Sequence, residues 1–195
     1  MERKAQRYRE TTETKIRVSV NLDGGGPSRI ATTIPFFDHM LDLMSRHGLF
    51  SLEIEASGDT EVDLHHTVED TGITFGEALN EALGDRAGIR RYGQASVPMD
   101  EALAAVNIDL CSRPYLVYNV EPRVGQSGDF DIDMVEQFFR ALVNSMAATV
   151  HFNLLYGTNQ HHILEALFKA FGRALAEAVS AEPRLEGVLS TKGRL

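Results

Sequence analysis

The chain has 195 residues, 43% of them hydrophobic and 24% charged, with a formal net charge of -9. A length of this order can bury a core without covalent staples, and the single cysteine, Cys111, has no partner for an internal disulfide. The acidic balance argues against nucleic acid as a partner, because phosphate-backbone affinity needs a basic face; it leaves open a small anion held by a few local cations.

The opening MERKAQRYRE carries no apolar run of the kind found in signal peptides or membrane spans, so a soluble cytoplasmic protein with no membrane contact is expected. Residues 14–22, TKIRVSVNL, alternate apolar and polar positions, the period of a half-buried strand. DGGGPS reads as a hairpin turn and RIATT as the returning strand. Pro35 introduces a helix from about Phe36 to Arg46, which Gly48 should stop. SLEIEAS is a further strand, and VDLH leads into a helix running to about Leu83.

After the connector DRAGIRRYG the cycle restarts. ALAAVNIDLC and YLVYNV read as strands around Ser112-Arg113-Pro114, EPRVGQSGDF as a loop, and DIDMVEQFFRALVNSMA as an amphipathic helix. TVHFNLLY is a strand, and QHHILEALFKAFGRALAEAVSA a long helix with Leu164, Phe168, Phe171, Leu175 and Val179 on one stripe. The expected order in each half is strand, strand, helix, strand, helix. That pattern points to an α+β fold built by internal duplication, residues 1–90 and 91–195 forming one compact unit with helices packed on mostly antiparallel sheets.

Each half opens its last helix with the same skeleton, HHTVE at 65–69 and HHILE at 161–165. On a helix, residues three or four apart share a face while neighbours diverge by about 100°. His65 or His66 therefore converges with Glu69, but the two histidines point apart and suit two different ions. Imidazole and carboxylate donors without thiolates fit divalent Mn, Fe, Co, Ni or Zn in a reactive rather than a structural site. His39 lies 26 residues before His65; 24 residues before His161 stands Gln137, where symmetry would want a histidine.

Lys169 follows Glu165 at helical spacing, and its counterpart in the first copy is Ile73, a break in symmetry that suits a substrate charged at one end. Arg90, Arg91, Arg113 and the Ser190-Thr191-Lys192-Gly193 stretch are further candidates for phosphate contact. His47, near a helix end, favours the helix dipole, His151 reads as structural, and Cys111 as inert core. From spacing alone, a dimetal hydrolase of a phosphorylated substrate and a non-catalytic metal-storage or assembly protein both compete with a lyase.

FFDHMLDLMSRHGLF, DLHHTVEDTGI, LCSRPYLVYN, NQHHILEALFKAFGRAL and STKG, in that order, resemble the motifs of the imidazoleglycerol-phosphate dehydratase family. The resemblance covers nearly the whole chain and implies a duplicated fold of the ribosomal-protein-like type, with trimers building a homo-24-mer whose sites are shared between subunits. It implies Mn2+, two per active site: one held by His39, His66, Glu69 and His162, the other by His65, His161 and Glu165. The family commonly has a histidine where this chain has Gln137, so the second ion is expected to bind more weakly. Glu13, His47, Arg91, Arg113, Lys169, Ser190 and Lys192 are implied as substrate contacts, with Glu165 as the leading proton-transfer base and Glu13 as a second acid/base. The implied reaction, in histidine biosynthesis, takes imidazole glycerol phosphate to imidazole acetol phosphate and water.

Overall fold

A computed structural model of the chain describes residues 3–24, 26–121, 126–127 and 130–195. The elements run β1 (Lys4–Glu10), β2 (Thr14–Asn21), β3 (Arg29–Ala31), α1 (Pro35–Gly48), β4 (Ser51–Gly58) and α2 (His65–Leu83). They continue with β5 (Tyr92–Met99), β6 (Ala102–Asp109), β7 (Tyr115–Asn119), the short pair β8 (Gln126–Ser127) and β9 (Phe130–Asp131), α3 (Asp133–Met146), β10 (Thr149–Tyr156) and α4 (Gln160–Val179). Apart from the β8–β9 insertion, the second series repeats the first. One sheet has the order β1-β2-β4-β3 and the other β5-β6-β10-β7. In each, the second strand is antiparallel to its two neighbours and the third is parallel to the fourth. This is the duplicated α+β unit the pattern implied.

The strand count per half differs from expectation. β1 and β5 were not anticipated, and the reason is visible in their burial: within β1 only Ala5 is buried, and β5 carries Pro98. Both are edge strands, where polar residues on both faces and a proline are tolerated, so alternation is weak. Nor does residue 29 begin a returning hairpin strand. β3 pairs in parallel with β4, because α1 lies between them as a crossover, and a parallel pair needs such a connection. The expected loop at 121–130 contains β8 and the start of β9, and its residues 122–125 and 128–129 lie outside the described residues.

The helices occupy the space between the sheets. α2 covers β1, β2 and β4, α4 covers β5, β6 and β10, and the helices meet as α2 on α3 and α1 on α4. A phenylalanine cluster fills the second half: Phe139 stands 4.3 Å from Phe152, 4.9 Å from Phe168 and 5.4 Å from Phe171, measured between ring centroids. Such stacked and tilted rings add to the burial that holds α3 and α4 on their sheet. Arg9 and Thr14 both bond the Asp70 carboxylate, at 2.8 and 2.5 Å, tying β1 and β2 to α2.

The helix pairs cross at glycine. A methyl group at Gly172 of α4 would lie 2.2 Å from the carbonyl oxygen of Met44 in α1; at Gly76 of α2 it would lie 2.5 Å from that of Leu142 in α3. Only a residue without Cβ allows backbones to approach this closely. Gly48, expected to stop α1, is its last helical residue, and the left-handed closing position is Leu49, φ 57°. Pro35 starts the helix as anticipated, its missing N–H costing nothing in the first turn.

Candidate metal centre and anion pocket

The amino end of α4 is built to present its histidines. Asn159 caps the helix, its side chain accepting from the backbone N–H of His161 and His162. From there His161 and Glu165, four residues apart, come together on one face, with Nε2 of His161 2.9 Å from Oε1 of Glu165. His39, on the neighbouring α1, brings its Nε2 to 3.3 Å from the same oxygen. His39, His161 and Glu165 each offer a donor atom within 4.8 Å of the others, the group among the described residues that meets a metal-ligand geometry. The imidazole–imidazole–carboxylate set suits the borderline divalent ions expected from the motif. Phe36 packs edge-on against the His161 ring at 5.5 Å and limits its rotation.

Lys169 completes this cluster, its Nζ 2.5 Å from Oε2 of Glu165, with both side chains largely buried. Burial pushes the Glu165 carboxyl up, but hydrogen bonds from Lys169, His161 and His39 outweigh it and hold the group at about 2. His47, at the far end of α1, is pushed down by desolvation and by the cations Lys169 and Arg173. The dipole reading of His47 is therefore incomplete: neighbouring positive charge favours its neutral form.

The amino end of α2 repeats the pattern with different partners. His65 Nε2 sits 3.3 Å from Glu69. The two histidines of each motif diverge as expected, their rings 6.4 Å apart and at 90° in the first and 6.3 Å apart and at 89° in the second. Gln137 is the fifth residue of α3, as His39 is the fifth of α1. The second histidine of each motif turns to a loop carboxylate. His66 Nδ1 lies 3.1 and 3.2 Å from the two oxygens of Asp59, and 3.7 Å from Glu13. His162 Nδ1 lies 2.6 Å from Glu101, and its Nε2 is 3.7 Å from Asp100. Hydrogen bonding to Asp59 raises His66, hydrogen bonding to Glu101 raises His162, and His162 in turn lowers Glu101 to about 2.

The remaining anion candidates gather elsewhere. Arg91, Arg113, Ser190, Lys192 and Arg194 line a cavity of about 800 Å³ that Cys111 also borders. Arg91 is fixed there by a two-pronged contact with Asp109, at 2.7 and 3.0 Å, and donates to the Leu189 carbonyl at 2.6 Å. The Arg91 backbone bonds Ala178, thirteen residues beyond Glu165 on α4 and thus about 20 Å along the helix axis. The expected substrate contacts therefore fall in three places within one chain: Lys169 with Glu165 and, near them, His47; Glu13 near His66; and Arg91, Arg113, Ser190 and Lys192 around the cavity. Arg90 stands outside them, paired to Glu177 at 3.5 Å, and His151 is exposed on β10. Sequence reading missed Asp59, Asp100, Glu101 and Arg194, although the equivalence of Glu13 and Glu101 in the duplicated register could have signalled the third.

A family profile described as imidazoleglycerol-phosphate dehydratase matches residues 32–175. The chain is 56% identical over 195 residues to the imidazoleglycerol-phosphate dehydratase of Geobacter metallireducens and 55% identical to that of Geobacter sulfurreducens, each alignment covering 100% of both chains. Among solved structures it is similar to the imidazoleglycerol-phosphate dehydratase of Staphylococcus aureus, with TM-score 0.83 and 42% identity over 92% of this chain and 99% of that one. The structure of the Pyrococcus furiosus protein gives TM-score 0.83 and 38% identity, covering 97% of this chain and 100% of the other.

Proposed function

The chain belongs to the imidazoleglycerol-phosphate dehydratase family, and from that premise we propose that its active site is assembled between subunits, the manganese sites completed by neighbouring copies and the phosphate cavity contributed by a different copy from Glu165. The reaction converts imidazole glycerol phosphate to imidazole acetol phosphate and water in histidine biosynthesis, so the chain is a lyase. Membership removes the hydrolase and storage readings that spacing left open.

One observation carries the shared-site reading. The metal donors sit at the amino end of α4 and the cation-lined cavity borders its carboxyl end, about 20 Å away, farther than one small phosphorylated imidazole reaches. A homo-24-mer made of trimers would bring the two ends of different copies together. In this reading residues 1–90 and 91–195 are the two repeats of one catalytic unit, working in the cytoplasm; no helix among the described residues is long and apolar enough to cross a membrane.

Two Mn2+ would be held by His39, His66, Glu69 and His162 for one and by His65, His161 and Glu165 for the other, with Gln137 at the weaker position; among the described residues of one chain His39, His161 and Glu165 already stand together. His39 and Glu165 belong to different sets yet stand 3.3 Å apart, which supports two ions lying side by side. Bound Mn2+ would supply positive charge beside the azole ring, easing loss of a carbon-bound proton and expulsion of hydroxide. Arg113, Lys192, Ser190 and Arg91 grip the phosphate, and His47, near Lys169, lies within reach of the substrate.

Glu165 is the proton acceptor. Held at about 2 by Lys169, His161 and His39 it is a weak base. Oε1 faces His161 and His39 while Oε2 faces Lys169, so departure of the Lys169 ammonium toward the substrate phosphate would free Oε2 to accept the proton. Glu13, on the turn before β2 with half its side chain exposed, is the second acid/base and delivers a proton to the departing hydroxyl.

Two measurements test this. Protein incubated with Mn2+ and imidazole glycerol phosphate should yield the keto product. Glu165→Gln and Lys192→Ala subunits, each inactive alone, should regain about a quarter of wild-type activity when co-assembled in equal amounts, because random mixing pairs an intact metal half with an intact phosphate half that often. Mixtures that stay inactive would overturn the shared site.

A further inference from the structure

The two second histidines, His66 and His162, are held in the same manner by residues that do not correspond. Asn21 faces Ser51 in the first sheet as Asp109 faces Thr149 in the second, so position 13 corresponds to position 101, each directly before its long strand. Glu101 is fully engaged: Oε1 accepts from the backbone N–H of Thr158 and Asn159 at 3.1 and 2.7 Å, and Oε2 faces His162 Nδ1 at 2.6 Å. Glu13 stands 3.7 Å from His66 Nδ1, beyond hydrogen-bond range. Its place is taken by Asp59, which follows β4 and whose N–H bonds the Glu13 carbonyl at 3.1 Å, so the substitute sits beside the residue it relieves.

We propose that Glu101 and Asp59 are positioning residues that fix His162 and His66 with the proton on Nδ1 and Nε2 turned outward as a metal donor, and that Asp59 thereby leaves Glu13 unattached for chemistry. A carboxylate at Nδ1 selects the tautomer whose Nε2 lone pair is available, and it sets the ring plane. The inference deepens the reading of the site as a Mn2+ centre. His66 and His162 belong to the same ligand set, so both carboxylates act on one ion. In the first repeat the histidine is supported from the loop after β4; in the second the glutamate at the position of Glu13 is itself the support and is fully engaged.

The arrangement makes opposite demands on two conservative substitutions. In Glu101→Gln the amide oxygen stays on the two backbone N–H groups, so the NH2 faces His162 Nδ1 and drives the proton to Nε2. Of the two Mn2+ equivalents measured by calorimetry on metal-stripped enzyme, one should weaken by about 10- to 100-fold, with the unfolding midpoint unchanged. In Asp59→Asn both positions of the side chain face His66 alone, so the carbonyl turns to Nδ1 and affinity stays close to wild type. In Asp59→Ala, Glu13 closes onto His66; Mn2+ affinity is largely kept while kcat falls as far as it does in Glu13→Gln. Unchanged Mn2+ affinity in Glu101→Gln would overturn the positioning of His162. Full turnover in Asp59→Ala would overturn the release of Glu13. Wild-type protein that takes up no Mn2+ would overturn the metal reading as well, so the two failures are distinguishable.

Discussion

The amino ends of α4 and α2 begin with the same histidine pair and carry the same glutamate, yet their surroundings differ. At α4 the glutamate is buried and gripped by Lys169, His161 and His39. At α2 it is half exposed and meets His65 alone, position 137 holds a glutamine, and the lysine position is Ile73. Duplication supplies two copies of one scaffold at once. In the proposed site the differences specialise them, the α4 copy keeping the buried glutamate and lysine assigned to proton transfer and phosphate, the α2 copy contributing chiefly ligands.

The largest expected break in this comparison is Glu165→Gln, which removes both a ligand and the base. It should lower kcat by about 10²- to 10⁴-fold, the usual range for an acid–base group, while Glu69→Gln should chiefly weaken Mn2+ binding; equal losses of kcat at saturating Mn2+ would erase the distinction. Next comes Arg113→Ala, which strips one cation from the cavity without touching either motif. A lost charged hydrogen bond of about 1.5–3 kcal/mol raises KM roughly 10- to 100-fold with metal affinity unchanged, read by steady-state kinetics beside a Mn2+ titration. Gln137→His makes the two ends more alike. The wild type should show one tight and one weaker Mn2+ equivalent, and the variant should tighten the weaker one by about tenfold. Two equally tight equivalents in the wild type would remove the asymmetry.

The last effect, graded rather than abrupt, is that of pH. His66 and His162 are raised above the ordinary histidine value of 6.5 by Asp59 and Glu101, and metal binding requires both to be neutral. Mn2+ affinity should therefore be flat at high pH and fall by up to about tenfold per pH unit for each proton displaced, beginning above pH 6.5. The sign for stability is the reverse. In the metal-free protein these two histidines stabilise the fold fully below pH 6.5, and that contribution is lost as pH rises through their raised values. A Mn2+ titration at several pH values, paired with unfolding of the metal-free form, reads both signs.

The features legible in the sequence were those governed by short-range periodicity. The face shared by His161, Glu165 and Lys169 follows from helical spacing, as does the divergence of each histidine pair. Alternation located β2, β4, β6 and β10 because each has one buried face. β1 and β5 have too few buried positions to alternate clearly, and β3 has three residues. Asp59 and Glu101 were hidden for another reason: a loop carboxylate reaches a histidine through sheet register and hairpin position, which local pattern does not encode. The same holds for the separation of Arg91 from Glu165, which depends on where β5 docks along α4.

The glycine crossing of α1 and α4 has a consequence for how this site can change. His39 rides on one helix and Glu165 on the other, and between them Gly172 lets the two main chains touch like the closed blades of a pair of scissors. A single methyl there, distant from any reacting atom, would prise the blades open and carry the imidazole away from its carboxylate. Variation that retunes this enzyme without disabling it must therefore leave the pivot at Gly172 untouched.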